Sequence, residues 1–460
     1  MGDLVLQRRG IRAWRRIIRI LVEGNVSSGK PFAEGGIEKM LYDVRMGPQA
    51  VHHDGVIYIV YQANLEAPEG HPHVRAFDVE KTTWSEPVQI GSVSRFDHHF
   101  APILWFDASE HLHVLYNCHG RTGGSHIVSD GAKVIDRWKP APVVDHSISY
   151  PRVLPLPDGR HLMYSRTFGH QGYWTYRVSE DGNTWSDSSP LIDFDQNPLV
   201  DTDTWAGTYQ SVGLDASGKG LHIAVTTFHE GHSVRGRPNP RYGIHVPHSD
   251  RRNLYYAHLH IDSGYVSTIK GAAMATPVTR LIAEEGLVWD SSQRMTNPPS
   301  ILDDGDGNPM MILPVAGEES PWSGHHVFIR RLGDEWEMTP IATLNNTWSA
   351  NWLLREGDQL VALLTRGEAD GSLLEYGGGN VEKWTSSNNG DTWGKEACWA
   401  PESELMYNNP RPVSTADGGT IDGAFTLFGW EGPEGLAKSW DKGSGKSRGR
   451  AFLYLNGEWV

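Results

Sequence analysis

The 460-residue chain has only two cysteines, Cys118 and Cys398, far apart in sequence. That leaves no disulfide framework and no paired-cysteine metal site. No apolar run approaches the length of a membrane span, so no membrane partner is expected. Positive charge is scarce: 41 Lys and Arg against 56 Asp and Glu give a formal net charge of −15. Such a balance argues against general nucleic-acid binding. An anionic substrate stays open, because a few arginines and histidines focused in a cleft can dominate the local field. A secretory leader needs an uninterrupted apolar core, and Arg15, Arg16 and Arg19 interrupt the only N-terminal candidate. An amphipathic surface helix is an alternative there. Residues 1–35 read as a poorly ordered extension outside the fold, and location stays unassigned.

What is abundant is turn and aromatic chemistry: 51 Gly, 27 Pro and 18 Trp. A repeating unit of roughly 45–55 residues emerges, in which an apolar inner strand precedes an Asp/Gly turn and a second strand ends in Tyr or Arg. The units begin near Ala50, Pro102, Tyr150, Tyr209, Asn297, Asn351 and Asn409. Each is too small to bury its own faces, so the expected fold is all-β, a seven-bladed β-propeller of four-stranded antiparallel blades over residues 36–460. A strand around Met40–Val44 is expected to complete the last blade and remove a free edge. A right-handed β-helix competes, but its coils are much shorter. Ser179–Trp185 and Ser387–Trp393 are similar to the Asp-box turn of sialidase-like propellers, the second with Asn in place of Asp. That turn supports fold, not activity.

Four groups able to move or neutralise charge lie in or beside short apolar segments. They are His99 in Asp97-His98-His99-Phe100-Ala101-Pro102, His119 in Asn117-Cys118-His119-Gly120, Tyr150 before Pro151, and Arg166 after Ser165. The sequence suggests that all four sit in strands and converge on one point. His98, Tyr209, Asn297 and Asn409 fall at comparable places and are candidate substrate contacts. An insertion from Glu230 to Arg252, expected on the same face, carries His229, His232, Arg235, Arg237, Arg241, His245 and His248. It reads as a cationic wall for carboxylate or sulfate groups, with His229 and Arg235 as contacts; the bland alternative is a solvated loop. His245-x-x-His248 is a weak metal pattern, since no carboxylates sit beside it. Trp348, Trp352 and Trp430 are candidate sugar-stacking faces.

The arrangement Asp97-x-His99-x-x-Pro102, then His119, Tyr150-Pro151 and Arg166, resembles that of the seven-bladed polysaccharide lyases, the ulvan lyase and rhamnose–glucuronate lyase group of BNR-type repeat proteins. The resemblance covers the chain from about Ile37 onward and is specific in the second and third repeats. It implies that His99 or His119, with Tyr150, transfers protons while Arg166 neutralises a uronate carboxylate. The doubled His98-His99 is a departure. So is the lack of a cysteine-rich zinc site. The family resemblance also implies a secreted or periplasmic setting.

The residue types suit that chemistry independently. Cleaving a 4-linked uronate by β-elimination removes the C5 proton and expels the sugar on O4. The proton becomes acidic only when the adjacent carboxylate is neutralised, which a guanidinium does in a two-pronged geometry. Tyr and His are suited to proton transfer at neutral pH. The partner so implied is an acidic polysaccharide. No cofactor is required, and a structural calcium in the axial channel stays open. A sialidase-like glycoside hydrolase and a non-catalytic carbohydrate-binding propeller are the competing readings. The hydrolase reading falls behind because this chain has no Arg-Ile-Pro type segment near the first repeat.

Overall fold

The computed structural model describes residues 29–36, 46–63, 70–95, 97–120, 122–169, 172–194, 206–233, 235–246, 249–367, 372, 377–402, 405–431 and 449–460. The fold is all-β, with six hydrogen-bonded sheets. Five are antiparallel with neighbours that are also successive in sequence, as short Gly- and Asp-rich turns require, except that Leu287–Trp289 adds to Arg251–His260 in one of them. In the Ser149–Pro155, His161–Arg166 and Trp174–Ser179 sheet, for example, the first turn is Pro157-Asp158-Gly159, with Gly159 at φ 92°.

The sixth and largest sheet consists of two antiparallel sets. One contains Ala50–His53, Val56–Ala63 and His71–Asp78; the other contains Leu405–Thr415, Thr420–Glu431 and Gly449–Leu455. A short parallel pairing of Val51 with Ser414 and of His52 with Thr415 joins the N-terminal and C-terminal sets. The outer edge of the C-terminal set is covered by Ala33–Gly36, which pairs with Gly449–Leu455. Phe32, just before it, is 3% exposed and stacks on Trp84 at 5.0 Å. The folded part therefore begins ahead of the expected boundary at residue 36. The edge-closing strand expected at Met40–Val44, and residues 1–28 of the expected extension, lie outside the described residues.

The first strands of the sheets follow one another around a common centre. Ala50–His53 lies beside Ile103–Phe106, which lies beside Ser149–Pro155. Tyr150 packs edge-on to Tyr209 of Ala206–Leu214, whose strand lies beside Ser300–Asp303. Asn351–Glu356 and Leu405–Thr415 continue the series, and the parallel pairing returns it to Ala50–His53. The centre is filled. Arg152 and Arg411 lie 5.4 and 5.6 Å from the ring of Trp352, so strands from three sheets meet there. Arg411 donates to the Met46 carbonyl and to Gln49 Oε1. Calcium wants six to eight oxygen ligands. Two guanidinium groups around an indole do not fit it, so the axial calcium is not supported.

Apolar clusters fill the spaces between neighbouring sheets, such as Ile103, Trp105, Val153, Leu162 and Trp174. Both Asp-box-like turns are structural. Asp181 Oδ1 accepts from the backbone of Asn183 and Thr184, and Asn388 Oδ1 accepts from the Thr392 backbone in the same way. Trp393 then packs against Phe328 at 5.3 Å. Cys118 is a buried thiol, and Cys398 is half-buried. Among the described residues no helix is long and apolar enough to cross a membrane.

Candidate active site

The four proposed catalytic groups do converge, although not all from strands. His99 sits in a single 3-10 turn, His98–Phe100, capped by Asp97. His119 follows the strand Leu112–Tyr116 in a loop started by Asn117, whose φ is 63°. The sequence expectation of strand positions holds only for Tyr150 and Arg166. The reason is local: Pro102 ends the turn, while Asn117 and Gly120 accept the left-handed backbone that a strand residue avoids. Hydroxyl groups tie the pieces together. Ser149 Oγ accepts from the Gly120 backbone, and Ser147 Oγ donates to the Gly120 carbonyl while accepting from the Phe168 backbone.

Tyr150 is aimed by a register shift. Its strand pairs Ser149 with Arg166 and then Arg152 with Tyr164, leaving Tyr150 and Pro151 in the irregularity. Tyr150 has φ 56°, a strained choice for an aromatic residue. Asn409-Pro410-Arg411 repeats the device, with φ 51° at Asn409 and a register shift between Asn408 and Arg411. The two copies send Arg152 and Arg411 to Trp352. Only the first copy presents a phenol beside histidines.

The rings form a compact stack. His99 and His119 lie 3.8 Å apart at 24° between planes, and Tyr150 meets His99 edge-on at 5.4 Å. His98 packs against His99 at 3.9 Å and is 2% exposed, which places it under the pair rather than on the surface. The Tyr150 hydroxyl donates to the Tyr209 hydroxyl at 3.4 Å. Asp97 takes both histidines: Oδ1 accepts from His99 Nδ1 at 2.7 Å, and Oδ2 from His119 Nδ1 at 2.8 Å. Burial alone would raise the Asp97 carboxyl, but charge on His99 and hydrogen bonds from His119 and His99 hold it well below the usual range.

Arg166 is the decisive group. It is 2% exposed, with its guanidinium 4.8 Å from the Tyr150 ring and 5.1 Å from the Tyr209 ring. Its Nε–H and Nη2–H meet no acceptor among the described residues. Buried donors without partners are costly, so the arrangement is poised for an anion. Asn297 is similarly buried, with Oδ1 lacking a partner among the described residues. Asn409 is buried and takes the Asn408 side-chain oxygen on its backbone N–H.

The insertion behaves differently from its expected role as a cationic wall. Arg241 pairs with the Glu318 carboxylate and donates to the Ser292 carbonyl. Arg252 grips Asp250 with two bonds of 2.7 Å. His229 is held neutral, its pKa pushed well down by burial and then by Arg252 and Arg280. His232 bonds the Pro238 carbonyl, and His245 bonds that of Ser233. Arg235 and Arg237 are exposed. His248, and with it the His245-x-x-His248 pattern, lies outside the described residues. Trp348 and Trp430 are buried rather than offered to sugars, and Trp352 is half-buried with Arg152 and Arg411 near its ring.

Sequence reasoning passed over Asp97 as a participant, although an acid two residues before a histidine is a readable N-cap signal. It also passed over Arg251, which is buried 4.1 Å from the Tyr209 ring and 4.5 Å from that of Trp348. Nothing in its local sequence marks it. Two groups bring three potential metal-ligand atoms together. In His53, Asp54 and Glu110, the Lys133 ammonium already neutralises both acids. In Asp97, His99 and His119, the Nδ1–H groups are hydrogen-bonded to the carboxylate.

The chain is similar to several known proteins. A family model described as "BNR repeat-containing family member" matches residues 57–344. An ulvan lyase of Nonlabens ulvanivorans is 23% identical over 453 residues, 87% of this chain and 89% of its own length. The Ulvan Lyase-PL25 of Pseudoalteromonas sp. (strain PLSV) is 23% identical over 337 residues, covering 66% of this chain and 65% of that protein. A solved PL25 ulvan lyase bound to -[GlcA(1-4)Rha3S]- superimposes with a TM-score of 0.73 at 17% identity, covering 92% of this chain and 95% of that one. Polysaccharide lyase Uly1 superimposes with a TM-score of 0.60 at 11% identity, covering 90% of each chain.

Proposed function

The chain belongs to the BNR repeat-containing family, and we propose that it is a polysaccharide lyase of the ulvan lyase group, folded as a seven-bladed β-propeller. The seven antiparallel strand sets, with first strands adjacent around one centre, support that architecture. The substrate is an acidic polysaccharide, ulvan by analogy with the named relatives. The bond cleaved is of the rhamnose-(1,4)-glucuronate type, and the reaction is β-elimination.

One observation carries the reading: Arg166, buried with N–H groups that meet no acceptor among the described residues, lies against Tyr150, whose ring meets His99 and His119 edge-on. A uronate carboxylate placed on Arg166 satisfies those donors. It can then accept the charge that spreads from C5 as the proton leaves. Stabilisation of this kind is worth roughly 3–4 kcal/mol per donor. The C5–H electrons form the C4=C5 double bond, the C4–O4 bond breaks, and O4 takes a proton. Glucuronate presents H5 and O4 on the same face, so acid and base groups clustered on one side suffice. Tyr150 and the histidine pair form such a cluster, with Tyr150 at the proton being removed and the pair completing the exchange.

The test is product chemistry in heavy-oxygen water, with ulvan as substrate. Elimination yields an unsaturated uronate that absorbs in the ultraviolet, and no solvent oxygen enters either fragment. Solvent label in the new reducing end, without an absorbance gain, would overturn the lyase in favour of a hydrolase. Binding without cleavage would leave only the carbohydrate-binding propeller.

A further inference from the structure

We propose that Asp97 is the positioning residue of this site, holding His99 and His119 as one unit with their Nδ1 atoms protonated. The catalytic significance rests on the lyase reading; the geometry does not. An ionised carboxylate is acceptor-only, so both ring nitrogens facing Asp97 must carry hydrogen. Oδ1 receives His99 Nδ1 at 2.7 Å and Oδ2 receives His119 Nδ1 at 2.8 Å. Oδ1 also caps the turn by accepting the His99 backbone N–H at 3.0 Å. One side chain therefore sets the turn, both tautomers and the stacking of the two rings. With Nδ1 fixed on the carboxylate, Nε2 of each ring is directed away from Asp97. It becomes the atom that exchanges protons.

The surroundings leave Asp97 as the anion of the cluster. Arg95 reaches Oδ2 at only 3.7 Å and is largely exposed, His98 stacks under His99, and Tyr150 meets both rings edge-on. Asp97 bridges two rings that stack 3.8 Å apart, so the carboxylate and both imidazoles form one hydrogen-bonded unit. It follows that the two histidines are not interchangeable spares. Removing either, or removing Asp97, disables the same unit.

The experiment is 15N-histidine NMR on the intact chain, with His99→Gln and His119→Gln spectra assigning the two rings. Wild-type protein should show both rings in the Nδ1–H tautomer. In Asp97→Asn, whose amide can accept from only one ring, at least one should switch to Nε2–H. On ulvan, kcat of Asp97→Asn should fall on the order of 100-fold with KM within about threefold, the pattern of lost positioning rather than lost binding. Adding His119→Gln to Asp97→Asn should cost little more. Nε2–H tautomers for both rings in wild type would overturn the proposal even if Asp97→Asn failed to fold. So would an Asp97→Asn protein that keeps both Nδ1–H rings and more than a third of wild-type kcat. If wild type has no activity on ulvan, the lyase reading fails while the tautomers still decide the role of Asp97.

Discussion

Two parts of the molecule are rich in histidine and arginine, and they use them in opposite ways. In the corner formed by residues 97–119, Tyr150 and Arg166, the buried Arg166 guanidinium keeps two N–H groups that meet no acceptor among the described residues. In the insertion that precedes the strand Arg251–His260, several have internal partners: Arg252 with Asp250, Arg241 with Glu318, His232 with Pro238 and His245 with Ser233. The local density of basic side chains is therefore a poor guide to a site. A stronger guide is a buried cation with unused donors packed against groups able to move a proton, as Arg166 is against Tyr150.

The strongest way to break this contrast is Tyr150→Phe, which deletes one hydroxyl and keeps the ring packed against Trp174 and Arg166. The kcat should drop about 1000-fold, within the range for a lost proton-transfer group, with substrate binding nearly unchanged. A variant keeping a tenth of wild-type kcat would remove Tyr150 from the reaction. Arg252→Ala should do the reverse. It strands Asp250, which is 1% exposed, and should destabilise the fold by about 3 kcal/mol in denaturant titration while molecules that remain folded keep their turnover. A comparable loss of kcat per folded molecule would make the insertion part of the chemistry.

Arg166→Lys sharpens the corner itself. Lysine keeps the charge but not the forked geometry, so activity should fall about 100-fold, close to the loss in Arg166→Ala. Near-normal turnover of the lysine variant would reduce Arg166 to packing.

Histidines outside the corner extend the contrast to pH. His126 and His326 are buried, bond the carbonyls of Pro142 and Thr365, and have pKa values pushed down to about 4 by burial. The unfolded chain takes up these protons first, near pH 6.5, so stability is lost as pH falls from about 6.5 toward 4. His326→Gln, which can still donate to the Thr365 carbonyl, should flatten the fall of melting temperature over that window; an unchanged slope would count against the assignment. Smallest of all is Arg241→Ala. Its partner Glu318 is exposed, so the stability change should stay under about 1 kcal/mol and kcat within twofold. A large KM increase would restore the insertion as a recognition wall.

Much of this was legible in the chain. Recurrent Asp/Gly turns and aromatic strand ends specify short antiparallel sheets, because each turn type demands its own residues and each strand its own alternation. Tyr150-Pro151 and Asn409-Pro410 could be recognised as equivalent because Tyr150 and Asn409 each precede a proline in an inner strand, and they share a left-handed backbone. Local pattern also brought His99, His119, Tyr150 and Arg166 into one set. It did not show that Arg241 meets Glu318 across 77 positions, because no local pattern reports a partner that remote.

The sequence by itself determined the all-β class, the repeat and the side chains able to move a proton. Only the tertiary structure decided which of them are left unsatisfied. Asp97 reaches His119 across 22 residues because the loop after Leu112–Tyr116 returns to the turn at His98–Phe100. Arg152 and Arg411 share Trp352 because strands far apart in sequence meet at one centre. Whether a polar group is paired, buried or waiting depends on neighbours brought by closure of the fold, and those distances are not written in any local stretch of chain.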